Sequence, residues 1–214
     1  MARAPRTGDA RPRVRDVEAA VLVPIKAFRN AKGRLAPTVA PEARADLARM
    51  MAHRVLLAAR PFTPFVVCDD DEVAGWAGEQ DAEVLWTPGL GLNGAIDHAS
   101  NVVAGKGFDH VVIAHGDLPL ATTFEHVITG GVVTLVPDHR LDGTNVQTRP
   151  ASAPLPAAYG AGSFRHHLTM ALSVGVRVRV VTDPRLARDV DTIDDLETLG
   201  IRLTADGIWT GAIR

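Results

Sequence analysis

The stretch Pro24-Ile25-Lys26-Ala27-Phe28-Arg29-Asn30-Ala31-Lys32-Gly33-Arg34-Leu35 follows a short apolar run and puts four cations into nine residues. Planar guanidinium forks beside mobile ammonium groups could neutralise a polyphosphate. A solvated surface loop accounts for the same composition. Three aspartates stand further along. Asp117, in Gly116-Asp117-Leu118-Pro119-Leu120, is followed closely by a proline, and magnesium takes one or two such carboxylates beside phosphate oxygens and water. Shaping a turn or capping a helix is the other reading of Asp117. Asp189 and Asp191 are two apart, so in extended backbone both can face one cation. Thr192-Ile193-Asp194-Asp195 resembles a capping box, however, and Asp191 could simply favour that helix N-terminus.

Two glycine-rich stretches could bring backbone N–H groups close to a ligand. Gly89-Leu90-Gly91-Leu92-Asn93-Gly94 leads into a helical pattern, where a plain strand-to-helix turn is the competing account. Asp142-Gly143-Thr144-Asn145 pairs with Tyr159-Gly160-Ala161-Gly162-Ser163-Phe164, whose Ser163 could sit in an anion cradle, cap its helix, or do both. Other chemistries lack their residues. The cationic stretch after the first apolar run is neither a Walker loop nor a Gly-x-Gly-x-x-Gly fingerprint, and the chain has no Gly-x-Ser-x-Gly elbow. The eight histidines include no His-x-x-x-His pair, and the single Cys68 lies in an apolar run, so a zinc enzyme and a disulfide framework are both disfavoured.

The elements that must position these groups alternate. Ala19 to Val23, Phe65 to Cys68, Ala82 to Trp86, His110 to Ala114 and Val132 to Val136 are strand-like. Pro41 to Ala59, Glu72 to Gly78, Leu92 to Ala104 and Thr122 to Ile128 have helical spacing, as do Ser163 to Val174 and Thr192 to Leu199. Val176 to Val181 adds a late strand. This alternation predicts an α/β fold, a largely parallel sheet with helices on both faces, and ligands at the carboxyl ends of its strands. Residues 137–160 are turn-rich and polar, with only short strand-like pieces such as Asn145-Val146-Gln147, and are expected to cover one sheet edge beside a pocket. At 214 residues the chain suits one domain over 18–200, with a mobile arm at 1–17 and a tail at 201–214. The net charge of −2 and 5% aromatic content argue against a nucleic-acid partner. No apolar run is long enough to span a bilayer, and the arginine-rich start lacks the apolar core of a signal peptide, so a cytoplasmic protein is expected.

Taken in order from about Ala19 to Gly200, these clusters resemble the CofC/FbiD family. Its members are guanylyltransferases that activate 2-phospho-L-lactate or phosphoenolpyruvate in biosynthesis of the deazaflavin coenzyme F(420). The resemblance implies a single-domain glycosyltransferase-A-like nucleotidyltransferase fold. Lys26, Lys32 and Arg34 would hold the triphosphate of GTP, with Lys26, Arg34 and Asp117 as the catalytic set, and Gly91, Leu92 and Asn93 would lie near the nucleoside. Asp117, Asp189 and Asp191 would hold Mg²⁺, and Thr144, Gly160 and Ser163 would bind the acid. His167 matches a family histidine without a role implied for it. The implied partners are GTP and a three-carbon phosphorylated acid, with the product passed to a downstream deazaflavin transferase and a homodimer left open. Gly33, Gly116 and Tyr159 depart from the family's usual residues, which bears on substrate choice more than on reaction class. Two alternatives remain. One is a nucleotidyltransferase of the same fold acting on 3-phosphoglycerate, a molybdopterin or a sugar phosphate. The other is a non-catalytic protein that binds GTP or phosphoenolpyruvate.

Overall fold

The structure is a computed structural model that describes residues 17–205 and 207–211. The basic arm therefore lies outside the described residues except at Val17. The elements run β1 (Ala19–Pro24), α1 (Pro41–Ala59), β2 (Thr63–Cys68), α2 (Asp71–Glu79), β3 (Glu83–Trp86), α3 (Gly91–Gly105) and β4 (His110–Ala114). Then come β5 (Val132–Pro137), β6 (Thr144–Pro150), α4 (Ser163–Ser173), β7 (Arg177–Val180), α5 (Ile193–Thr198), β8 (Arg202–Leu203) and β9 (Trp209–Thr210). The main sheet has seven strands in the order β3-β2-β1-β4-β6-β5-β7, and β6 alone runs antiparallel to its neighbours.

Period-two alternation along β1 divides the core. Ala19, Val21 and Val23 face α1 and α2, whereas Ala20 and Leu22 face α3. The helices thus cover both faces, as the alternating pattern predicts. Helix α1 matches its expected limits because Pro41 opens it and the apolar positions Leu47, Met51, Val55 and Ala58 recur every three or four residues. No helix among the described residues is long and apolar enough to cross a membrane.

Two expectations are corrected. Thr122 to Ile128 is not an α-helix, and only Glu125–Val127 makes a single 3₁₀ turn. Its helical spacing comes from Phe124, Val127 and Ile128, which are buried from an irregular segment. Residues 137–160 do not merely cover an edge either, because β6 lies inside the sheet, hydrogen-bonded to β4 on one side and β5 on the other. The strand is polar yet buried, and several of its side chains are paired. Asn145 Nδ2 donates to the Leu186 carbonyl, Thr148 Oγ1 to the Val127 carbonyl, and the Arg149 guanidinium to the Ala153 carbonyl. The β5–β6 turn is organised by the Asp138 carboxylate, which accepts from the backbone N–H groups of Arg140, Asp142 and Gly143. A Cβ on Gly143 would stand 2.9 Å from that carboxylate, so the turn needs glycine there.

The segment expected to be a tail carries the β8–β9 hairpin. Trp209 is 3% exposed, packs with Leu47 and Met51 of α1, and donates its indole N–H to the Ala43 carbonyl at 2.8 Å.

Candidate active site

One apolar cluster brings the cationic loop to the aspartates. Leu35, next to Arg34, shares it with Val190, next to Asp191, and with Leu196 of α5. Burying Leu35 and Val190 together sets their polar neighbours at the carboxyl ends of β1 and β4. Lys32 Nζ donates to Asp117 Oδ2 at 2.6 Å and to Asp191 Oδ1 at 3.3 Å, and the Arg34 guanidinium donates to Asp191 Oδ2 at 3.0 Å. The Lys32 side chain is only 8% exposed. Its backbone adopts φ 52°, which turns the loop back over the strand ends.

Burial works against charge on both partners, and their pairing prevails. Lys32 is held above its ordinary pKa by Asp117 and Asp191 against burial, and Asp117 is held below its own by Lys32 and then His115, again against burial. Asp189 behaves oppositely. Burial, reinforced by the Asp117 charge, raises it, and among the described residues its side-chain partner is Asn145 Nδ2 at 3.3 Å. The capping question is also resolved. Thr192 is the N-cap of α5, with Asp195 completing the capping box, so the Asp191 carboxylate is left to Lys32 and Arg34. The three aspartates do not form a closed nest, because the Lys32 ammonium lies between Asp117 and Asp191. Among the described residues no three His, Cys, Asp or Glu side chains stand close enough to hold a metal ion unaided.

A cleft of about 630 Å³ opens over these groups. Lys26, Lys32, Arg34, Gly91, Leu92, Asp117 and Asp191 line it, as do Asp69 and His115, which motif reading passed over. Asp69 was hidden in an acidic turn that reads as a helix start, and His115 carries no motif of its own. Asn93 does not line the cleft. Its side-chain amide clamps the Tyr159 backbone, accepting from the N–H at 2.8 Å and donating to the carbonyl at 3.1 Å.

Thr144 and Ser163 come together as expected, but inside the protein. Both are almost fully buried, and Ser163 Oγ accepts from the Thr144 N–H at 3.1 Å. The Ser163 N–H donates to the Gly160 carbonyl at 3.1 Å, so at this helix start that donor already has a partner. His167 joins the network. Its Nε2 accepts from the Ala158 N–H, which leaves Nδ1–H to donate to Thr144 Oγ1 at 3.0 Å. The Tyr159 ring packs between His167 and His115, at 4.7 and 5.2 Å between ring centres, and so connects this network to the cleft wall.

A largely parallel sheet with opposed cations and carboxylates at its carboxyl ends is the architecture of nucleotide-handling transferases. A crystal structure described as a nucleotide-diphospho-sugar transferase from Desulfovibrio desulfuricans G20 shares this fold. It aligns with a TM-score of 0.69 and 20% identity, over 86% of each chain. Residues 19–206 match the family "Guanylyl transferase CofC like", and the chain belongs to that family. It is a nucleotidyltransferase of the CofC type. A phosphoenolpyruvate guanylyltransferase from Rubrobacter xylanophilus is 35% identical over 187 residues, 83% of this chain and 91% of that protein. A 2-phospho-L-lactate guanylyltransferase from Methanothermobacter thermautotrophicus is 30% identical over 184 residues, 82% and 81% of the two chains.

Proposed function

We propose that this enzyme transfers GMP from GTP to a three-carbon phosphorylated acid, phosphoenolpyruvate first and 2-phospho-L-lactate second, releasing pyrophosphate. The observation that carries this reading is the Lys32–Asp117 and Arg34–Asp191 pairing inside the cleft. A phosphate oxygen of the acid attacks the α-phosphorus of GTP. The new P–O bond forms as the bond to the β-phosphate oxygen breaks, and the electron pair leaves with pyrophosphate. The attacking oxygen is already anionic at neutral pH, so no side chain has to remove a proton, and positioning with charge neutralisation supplies the catalysis. Lys26, Lys32 and Arg34 hold the triphosphate and take up charge on the leaving group. The Asp117–Asp191 framework fixes where two of these cations stand.

The carboxylates suit a Mg²⁺ ion. Asp117 Oδ1 is buried without a hydrogen-bond partner among the described residues, and the Asp117 charge bears on Asp189. Asp117 and Asp189 would hold the ion, with Asp191 at its margin, and when bound it would supply positive charge to the phosphates. Thr144, Gly160 and Ser163 shape the end of the site that takes the acid's carboxylate, and His167 holds them in place. The product, a guanosine linked through a diphosphate to the acid, is an activated substrate for a downstream transferase. Both substrates are cytoplasmic metabolites, which supports the same compartment for the enzyme.

The test is incubation of the full chain with GTP in magnesium buffer and phosphoenolpyruvate, 2-phospho-L-lactate or 3-phosphoglycerate in turn, following pyrophosphate. Release with one of the first two is expected. Release with none of the acids, or with 3-phosphoglycerate alone, sinks the assignment. Ser163→Ala should raise the KM for the acid more than that for GTP.

A further inference from the structure

The cleft is chemically lopsided. Its β1–β4 end carries Lys32, Arg34, Asp117, Asp191 and His115, whereas the lining from β2, β3 and α3 is Val67, Cys68, Asp69, Thr87, Gly91, Leu92 and Ala95. A nucleoside triphosphate lying along this cleft sets its phosphates at the charged end and its base at the other. Among the described residues Asp69 is the one carboxylate lining that other end.

The backbone that carries Asp69 is held on both sides. Just before it, the Cys68 carbonyl accepts the Thr87 N–H at 2.9 Å and Thr87 Oγ1 at 3.3 Å. Just after it, Asp70 caps α2 by accepting the Val73 N–H at 3.2 Å and pairs with Arg29 at 2.6 Å, and Asp71 begins the helix. Asp70 and Asp71 thus have structural duties. The Asp69 side chain is exposed and makes no hydrogen bond or ion pair with the described residues.

We infer that Asp69 selects guanine. Its two carboxylate oxygens accept in parallel from N1–H and the exocyclic N2–H of the base. Guanine offers two adjacent donors on this edge, whereas adenine offers an acceptor at N1 and no amino group at C2, so a carboxylate's acceptor pair favours the first and repels the second. The inference rests on the guanylyl-transfer reading and goes beyond it by naming the group that reads the base.

The experiment exchanges the pattern. In Asp69→Asn the amide oxygen still accepts from N1–H, while the new N–H₂ faces guanine's amino group and instead suits the 2-carbonyl of xanthine. kcat/KM is measured for wild type and Asp69→Asn with GTP, ATP and XTP, together with binding of each nucleotide in the absence of acid. Wild type should prefer GTP, and Asp69→Asn should lose roughly a hundredfold with GTP and use XTP better than GTP. The binding arm should show the same exchange. A variant that keeps wild-type GTP efficiency overturns the inference. So does one that loses GTP and XTP equally, which would place Asp69 on the ribose. If wild type turns over other nucleotides but not GTP, the guanylyl reading fails and takes this assignment with it.

Discussion

Asn93 and Tyr159, 66 positions apart, are joined by a pair of hydrogen bonds in which one side-chain amide satisfies both the N–H and the carbonyl of a single residue. Asn93 lies in the first turn of α3, beside the cleft rim at Gly91 and Leu92, and Tyr159 packs on His115 and His167. The clamp therefore makes the cleft wall and the buried Thr144–Ser163 network one body.

Asn93→Ala should cost about 1–3 kcal/mol in urea unfolding, because both bonds go and a part-buried backbone pair loses its partner. Asn93→Asp should cost a similar amount, since a carboxylate cannot donate to the Tyr159 carbonyl. An unfolding midpoint equal to wild type for both variants would reduce the clamp to an incidental contact.

Breaking the central ion pair should affect folding and turnover differently according to which partner goes. Lys32→Met leaves the Asp117 carboxylate in a protein environment without its cation, a loss on the order of 3 kcal/mol, at the lower end for buried pairs because Asp117 is 24% exposed. Asp117→Asn keeps shape and removes charge, so turnover should fall about a hundredfold or more with a smaller stability loss. Stopped-flow turnover beside denaturant titration on the same preparations reads both effects, and an Asp117→Asn enzyme with full activity would contradict the proposed site.

Asp191 and Thr192 are neighbours with separable tasks. Thr192→Ala removes the N-cap of α5 and should lower stability by about 1 kcal/mol with modest kinetic change. Asp191→Asn should leave the melting temperature nearly unchanged and slow turnover, because its carboxylate orients Lys32 and Arg34. The opposite assignment of effects would return Asp191 to a capping role.

Acid sensitivity should run through His167. Burial first, then the charges of His115, His166 and Arg149, push its pKa from 6.5 down to about 4. Between those values the unfolded chain takes up a proton that the folded protein refuses. Stability is full above about pH 6.5 and is lost as the pH falls towards 4, by roughly 3 kcal/mol at most. Asn at 167 cannot titrate, so His167→Asn should flatten the slope of unfolding free energy over this range. His110, also pushed down by burial, keeps its share in the variant. An unchanged slope would place the acid sensitivity elsewhere.

Legibility in the sequence followed polarity. Helix α1 and strands β1 and β4 declare themselves because burial and hydrophobicity coincide in them. Strand β6 does not. Only Asn145-Val146-Gln147 is strand-like there, within a turn-rich polar stretch, and only the fold shows the whole of Thr144–Pro150 as a strand inside the sheet. The cationic loop and its aspartates could be nominated from residue type, but Lys32 rather than a free gap between Asp117 and Asp191 follows from packing of Leu35 against Val190, 155 positions away. Asn93 is placed near the nucleoside by the family resemblance alone, and its hydrogen-bond partner Tyr159 lies in a segment whose position no local pattern specifies.

The interior place of β6 also bears on the order of assembly. β5 has no native neighbour among the strands that precede it, since β6 separates it from β4. β5 and β6 are consecutive, so closing them as a hairpin costs the least loop entropy and is the expected first step, with the three N–H groups gathered by Asp138 closing that turn. Until then β4 and β5 are bare strand edges, able to pair wrongly with each other or with another chain. Asp138 is thus a residue on which the speed and yield of folding depend more than the finished molecule does, and Asp138→Ala should refold slowly and aggregate while any protein that reaches the native state keeps its catalytic groups in register.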